Sequence, residues 1–398
     1  MLNEFLKKEA EEITVFLKQK GISLPSLPKD LKALKDEGEA FSLAYPIQGL
    51  LKYHGLANKE HRTANFPSIS LNNDAFFTVT YVKFSKKYLK DRFILNGIEI
   101  DPNDQKYHRV SHQLDFIRKY SEINTKAVII SRNIIKKSNK TVLGKGIGTS
   151  ASAGAAIAHA AISILYDNEV YYTSNLSLRA LFSRYLAGSA IRSCVGGIGL
   201  WISHPNMDPK ESFGIRLDTK EIQTFINDID LITISIKSKI QTDKAHEIAP
   251  LSPFYESWMK TRKNQIIKFY NALIDENFQI IGEMAEFDTL QLHAITMTGS
   301  PDKNLILWTP ETISIMHLTR ELRNQGIPVY FSIDTGPSVV LLTKTEFTKE
   351  IIENLINLND EFNINIGKIG GPSKLLKKSS PEAKFLIKDF NILKLNVK

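Results

Sequence analysis

Apolar residues open the chain at Leu2, Phe5, Leu6, Ile13, Phe16 and Leu17, on or near one face of a helix, with acids and bases between them. This spacing predicts an amphipathic helix within an extension over residues 1–40 that ends in the exposed stretch LKDEGEA. The pattern then changes to strands. Phe76–Phe84 (FFTVTYVKF) is predicted as one, and Phe93–Ile100 as a hairpin around Asn96-Gly97. Ala127–Ser131 is a short β-rich run. It leads to GKGIGTSASAGAAIAHAAISIL, a glycine-rich turn running into an alanine-rich helix. Helical spacing returns at Leu178, Leu181, Phe182, Tyr185 and Leu186 behind a Ser/Asn cap, and Gly196, Gly197 and Gly199 close that unit.

Past Pro205 the texture changes. Leu231–Ile236 is a predicted strand, Phe254–Glu286 holds one or two long helices, and Thr312–Asn324 is a helix ended by Gly326-Ile-Pro328. Val329–Ile333 and Val339–Leu342 are strands flanking Asp334-Thr-Gly-Pro337, and Glu350–Leu358 is a helix. Strands and helices in no strict alternation predict an α+β fold with a boundary near 205–220.

Composition narrows the class. The 398 residues suffice for two domains, and 42% hydrophobic with 24% charged residues is ordinary for a globular protein. No stretch approaches the ~20 apolar residues of a membrane span, and the N-terminus lacks a signal-peptide core. The expectation is a cytoplasmic protein without a membrane partner. The single Cys194 excludes an internal disulfide and a cysteine-cluster metal site, and His54, His61 and His293 show no paired metal spacing. The net charge of +8 favours anionic partners, but basic residues are interleaved with acids, so the charge reads as a solvated surface rather than a nucleic-acid site. A phosphorylated small metabolite suits it equally.

Four segments carry candidate chemistry. Gly146-Ile-Gly148-Thr149-Ser150 opens a helix whose free N–H groups can hold an anion, or which Thr or Ser simply caps. It matches neither the P-loop nor the dinucleotide fingerprint. Arg192, within AGSAIRSCVGG, stands among small residues that suit a bidentate clamp on carboxylate or phosphate, or it serves a helix C-terminus. Asp334 is a carboxylate at a strand end, placed for acid/base or electrostatic work or for forming the turn. Lys52 follows two leucines, where a buried ammonium wants a carboxylate partner.

In this order the segments resemble the diphosphomevalonate decarboxylase family. AYPIQGLLKYHG is similar to its opening strand, FPSISL (Phe66–Leu71) and ILNG (Ile94–Gly97) to the segments that follow, and GIGTSASAG to its phosphate loop. AGSAIRSCVGG resembles its arginine block, and EFDTLQLHA (Glu286–Ala294) and SIDTGPSVV (Ser332–Val340) continue the match. The resemblance spans residues 41–372, and its phosphate loop is shared with a wider superfamily of small-molecule kinases. It implies a ribosomal-S5-like α/β domain with the phosphate loop over 41–210, a ferredoxin-like domain over 211–398, a cleft between them, and a homodimer. It also implies a catalytic set of Asp334, Lys52 and Arg192, and substrate binding by Tyr53, Ser189, Ser68, Lys145, Thr149 and Ser150, with no metal among the protein's own ligands.

Departures shift the expected substrate. Leu56 stands where the family has a second lysine for a terminal phosphate, Val142 replaces the proline opening the phosphate loop, and Lys145 intrudes before Gly146. With the N-terminal extension, these features resemble the mevalonate 3,5-bisphosphate decarboxylases of thermoacidophilic archaea, which make isopentenyl phosphate, CO2 and phosphate with no cofactor. The alternative is an ATP- and Mg2+-dependent decarboxylase of mevalonate 5-phosphate or 5-diphosphate. A mevalonate kinase or a non-catalytic paralogue fits less well, because Lys52 and Asp334 are retained together. Two spatial expectations follow. Lys52, Arg192 and Asp334 should meet in one cleft with Lys52 and Asp334 in salt-bridge reach, and Lys145 or the N-terminal helix should narrow the nucleotide cleft.

Overall fold

The computed structural model describes residues 2–142, 147–237 and 242–394. Helix α1 (Leu2–Gln19) forms where the apolar spacing predicts it and buries Leu6, Ala10, Ile13 and Leu17. The first half of the chain then gives β1 (Gly38–Ala44), β2 (Ile47–Leu51), β3 (Ser68–Asn72), β4 (Phe76–Ser85), β5 (Arg92–Leu95), α2 (Gln105–Ser121) and β6 (Lys126–Ile135). After these come α3 (Thr149–Leu165), α4 (Leu176–Arg184), α5 (Ala190–Val195), β7 (Ile198–Ile202) and β8 (Phe213–Arg216). Strands β1, β4 and β6 pair antiparallel in one sheet, with β5 added parallel to β6. A second sheet has the order β8–β7–β3–β2.

The alanine-rich helix α3 is buried almost all round because α4 and α5 close over the face that sheet one leaves open. A side chain at Gly154 would stand 2.9 Å from Ala190 Cβ and from the Ser183 carbonyl, so the small residues there permit close helix packing.

The second half gives β9 (Ile229–Ser235), α6 (Thr242–Ile248), α7 (Tyr255–Ile274), α8 (Phe278–Met297), α9 (Pro310–Asn324), β10 (Val329–Ser332), β11 (Val339–Lys344), α10 (Thr348–Leu358) and β12 (Asn363–Lys368). Its antiparallel sheet has the order β10–β11–β9–β12, the ferredoxin-like arrangement expected for this half. The fold is thus α+β, as the mixture of strands and helices predicted.

Two segments depart from expectation. Strand β13 (Lys374–Leu376) leaves the second half and pairs with β1, setting Leu376 opposite Phe41. The residues after it pack on the same sheet, with Phe390 against Phe41 and Tyr81. The unit expected over 211–398 therefore does not hold the chain's end. The reason lies in the strands: Phe41, Leu43, Val79 and Tyr81 point away from α3, and that apolar face needs its own cover.

The second departure concerns α1. It docks on α7, with Phe16 edge-on to Tyr270 at 5.4 Å and Lys263 held by Glu9 and Glu12 at 2.6 Å each. The segment after it crosses to the other half, where Leu34 and Lys35 donate to the Leu165 carbonyl at the C-terminal end of α3. The glycine turn lies at the opposite end of that helix, about 24 Å away by the helical rise over its 17 residues. The extension ties the two halves together, and its Leu34–Lys35 stretch lies at the end of α3 remote from Gly148.

Candidate active site

Lys52 follows β2, whose five residues are all buried, so its position is set by burial before any polar contact. Asp288, on α8, accepts the Lys52 backbone N–H at 2.7 Å and pairs with the Arg262 guanidinium, which in turn donates to the Lys52 carbonyl at 2.7 Å. This clamp spans more than 230 positions of sequence. The Lys52 ammonium donates to Thr289 Oγ1 at 3.0 Å and Ser332 Oγ at 2.9 Å and lies 3.9 Å from Asp288 Oδ2. Burial pushes its pKa down, and Asp288 and then Asp334 push it back up. The ion-pair partner of Lys52 among the described residues is thus Asp288, where Asp334 was expected. Asp334 acts on it through its field.

Asp334 follows β10, and its Oδ1 accepts the Gly49 N–H at 3.2 Å while its carbonyl accepts from His293 Nε2 at 3.0 Å. Its enclosed position raises the carboxyl pKa, and Lys52 and Arg192 oppose that rise. Gly49 lies beneath both catalytic candidates. A Cβ there would come within 2.7 Å of Lys52 Cγ and 2.8 Å of Asp334 Oδ1, so the bare backbone is what lets the two side chains converge.

Arg192 reaches the same interior from α5. The segment Gly370–Pro372 presses against the end of that helix, where a Cβ on Gly196 would meet Pro372 N at 2.1 Å. Asn72 ties the two by donating to the Ser193 and Gly371 carbonyls at 3.1 and 3.0 Å. The Arg192 guanidinium is 3% exposed and lies over the Tyr53 ring at 5.4 Å, yet its Nε and Nη1 have no hydrogen-bond acceptor among the described residues. Burial lowers its pKa to about 10, against the pull of Tyr53, Asp334 and Asp288. Lys52, Arg192 and Asp334 thus lie within electrostatic reach of one another in the buried interior.

The other predicted residues spread around it. Ser68 lies on β3, buried, with its hydroxyl unpartnered. Ser70, two positions on and facing the same way, is equally unpartnered and sits opposite both Gly49 and Gly199. The alternation Ser-Ile-Ser-Leu, with Ile69 and Leu71 in the core, is the signal that would have found Ser70. Ser189 precedes α5 and uses no side-chain cap bond. Thr149 and Ser150 begin α3 behind Gly148, where a φ of 67° and the Ile47 carbonyl, 2.7 Å from where a Cβ would stand, require glycine. Lys145 lies outside the described residues. Asp288, Thr289, Arg262 and Ser332 were not singled out by sequence, although Asp288 and Thr289 fall in the EFDTLQLHA segment. Among the described residues, no cluster of three or more His, Cys, Asp or Glu can hold a metal ion. No described helix is long and apolar enough to cross a membrane.

Comparison with known proteins bears on this geometry. Residues 44–213 match the diphosphomevalonate decarboxylase-like N-terminal domain, the region that carries β2, β3, α3 and the Arg192 helix. The chain is 27% identical to the mevalonate 3,5-bisphosphate decarboxylase of Thermoplasma acidophilum over 90% of this chain and 82% of that protein. It is 29% identical to the phosphomevalonate decarboxylase of Haloferax volcanii over 86% of this chain and 98% of that one. The mevalonate diphosphate decarboxylase of Enterococcus faecalis superposes with a TM-score of 0.75 at 26% identity, over 86% of this chain and 99% of that one. The resemblance read from the decarboxylase-like segments is thus sustained across both halves of the fold.

Proposed function

We propose that the protein is a carboxy-lyase of the mevalonate pathway that converts mevalonate 3,5-bisphosphate to isopentenyl phosphate, CO2 and phosphate without ATP. The observation that carries the reading is Arg192, a buried guanidinium with two N–H positions unanswered, beside a pocket already holding an ammonium and a carboxylate. An anion completes it. Arg192 holds the substrate carboxylate by charge-assisted hydrogen bonds. Departure of the C3 phosphate leaves positive character at C3, which the Asp334 carboxylate stabilises, and Lys52, coupled to Asp334 through its field, meets the leaving phosphate. The bond between the carboxylate carbon and C2 then breaks, its electron pair forms the C2–C3 double bond, and CO2 leaves. Tyr53, Ser68 and Ser189 bind phosphate or carboxylate oxygens.

The absence of an ATP requirement follows from the chemistry of that substrate, whose tertiary alcohol already carries its leaving group. It is supported by the similarity to the Thermoplasma enzyme. The second reading, an ATP- and Mg2+-dependent decarboxylase of mevalonate 5-phosphate, is favoured by the similarity to the Haloferax enzyme. CO2 release is measured with mevalonate 3,5-bisphosphate alone, and with mevalonate 5-phosphate with and without Mg-ATP. Release from the bisphosphate without nucleotide is expected. A strict ATP requirement sends the protein to the second reading, and no release from either substrate ends both. We further propose a cytoplasmic homodimer, which sedimentation equilibrium checks as twice the chain mass.

A further inference from the structure

Beside Tyr53, two imidazoles face each other outside the catalytic set. His54 follows Tyr53 in the chain, and His246 comes from α6. Their ring centroids lie 4.6 Å apart at 50°, and His246 also stacks on Tyr53 at 4.9 Å and 18°. The rings are only 2% and 8% exposed, yet His54 Nε2 and His246 Nδ1 meet no hydrogen-bond partner among the described residues. Buried polar atoms in a settled core are nearly always paired, so two unpartnered ring nitrogens on facing imidazoles mark a place for a polar ligand.

The chemistry of that ligand can be read from the surroundings. His54 Nδ1 lies 2.9 Å from the Tyr53 carbonyl, which only accepts, so Nδ1 carries the hydrogen and the buried Nε2 presents a lone pair. The Tyr255 hydroxyl donates to the His54 carbonyl at 2.7 Å, and Asp288 on α8 and Lys52 just after β2 act on this ring. The groups acting on His246 are His54, Arg62, Arg109 and Arg192, all basic. Arg62 and Arg109 have interactions of their own and enter only through their field. Arg62 is nevertheless held at a φ of 49°, a left-handed conformation that a non-glycine residue adopts at some cost. A positive field favours an anion, whereas the lone pair of His54 wants a donor. A phosphate monoester satisfies both, because its second ionisation lies near pH 6 and its monoanion still carries an O–H.

We propose that His54 and His246 form the subsite for a terminal phosphate monoester of the substrate, and that binding brings one proton onto the imidazole pair. This rests on the proposed function, which supplies a substrate with a phosphate remote from its carboxylate. The balance is simple. A bound monoanion passes its proton to His54 Nε2, leaving a phosphate dianion beside an imidazolium; above neutral pH the proton comes from solvent. Two rings at 4.6 Å disfavour double charging, so the pair takes one proton and matches a single phosphoryl group rather than a diphosphate.

Calorimetry with mevalonate 5-phosphate at pH 7.5, in two buffers of different ionisation enthalpy, tests the subsite without turnover. The wild-type chain should bind with uptake of about half to one proton, and mevalonate itself should bind without uptake. His246→Gln and His54→Gln should each abolish the uptake and weaken binding roughly 10- to 100-fold, and in turnover should raise KM more than they lower kcat. Should one variant fail to fold, the other decides. Unchanged affinity and proton uptake in a folded variant would overturn the subsite, as would wild-type binding with no proton uptake. Proton-linked binding by a protein that releases no CO2 from any candidate would instead sink the decarboxylase reading and leave the subsite standing.

Discussion

Lys52 and Arg192 are both cations buried to within a few per cent, in the same pocket, and they are treated oppositely by their surroundings. Lys52 is answered on every side: its ammonium by Thr289, Ser332 and Asp288, and its backbone by Asp288 and Arg262. Arg192 keeps two N–H groups without an acceptor. A compensated buried charge is a fixed part of the framework, whereas an uncompensated one is retained because something else completes it. On the proposed function, the difference separates the side that orients the chemistry from the side that holds the substrate.

The comparison breaks most severely at Asp288. Asp288→Asn leaves the Arg262 guanidinium buried without its counter-charge and loosens the Lys52 backbone. Breaking a buried pair in this way costs about 3–5 kcal/mol, so the urea midpoint should fall well below that of the wild type. Asp334→Asn should do the reverse. Its carboxylate has no dedicated ion pair, so folding should survive, while turnover drops about 100- to 1000-fold, or roughly 3–4 kcal/mol. CO2 release near the wild-type rate from a folded Asp334→Asn protein would remove Asp334 from the catalytic set.

Acid should sharpen the picture more gently. Burial depresses the His54 ring to about 4 and the His293 ring, which supports the Asp334 carbonyl, to about 3. The unfolded chain therefore takes up protons first. Their stability contribution is complete above pH 6.5 and is lost as pH falls through the interval down to about 4 for His54 and about 3 for His293. At pH 5 each ring should have cost about 2 kcal/mol, seen as a lower unfolding free energy than at pH 7 and as a smaller drop in a His54→Gln protein. The smallest change is expected at Arg192. Arg192→Met removes an uncompensated charge and keeps the volume, so stability should stay within about 1 kcal/mol of wild type or rise, while substrate binding is lost. A loss comparable to that of Asp288→Asn would mean that Arg192 is structural after all.

How much of this was legible in the chain depends on the distance over which each feature is decided. The amphipathic α1, the strand FFTVTYVKF and the glycine turn before α3 follow from local spacing, because burying one face of a helix or strand needs only its own few residues. Lys52 and Arg192 could be singled out for a similar reason, since a cation among leucines or small residues needs explaining wherever the chain goes. Packing alone decided the partners. Asp288 meets Lys52 only because α8 lies against β2, and no periodicity in either segment encodes that contact. The docking of α1 on α7 was equally hidden, since an apolar stripe specifies that it must be covered but not by what. So was the return of the chain's end to β1: the apolar residues facing away from α3 demanded a cover, and the tertiary structure chose the segment that supplies it.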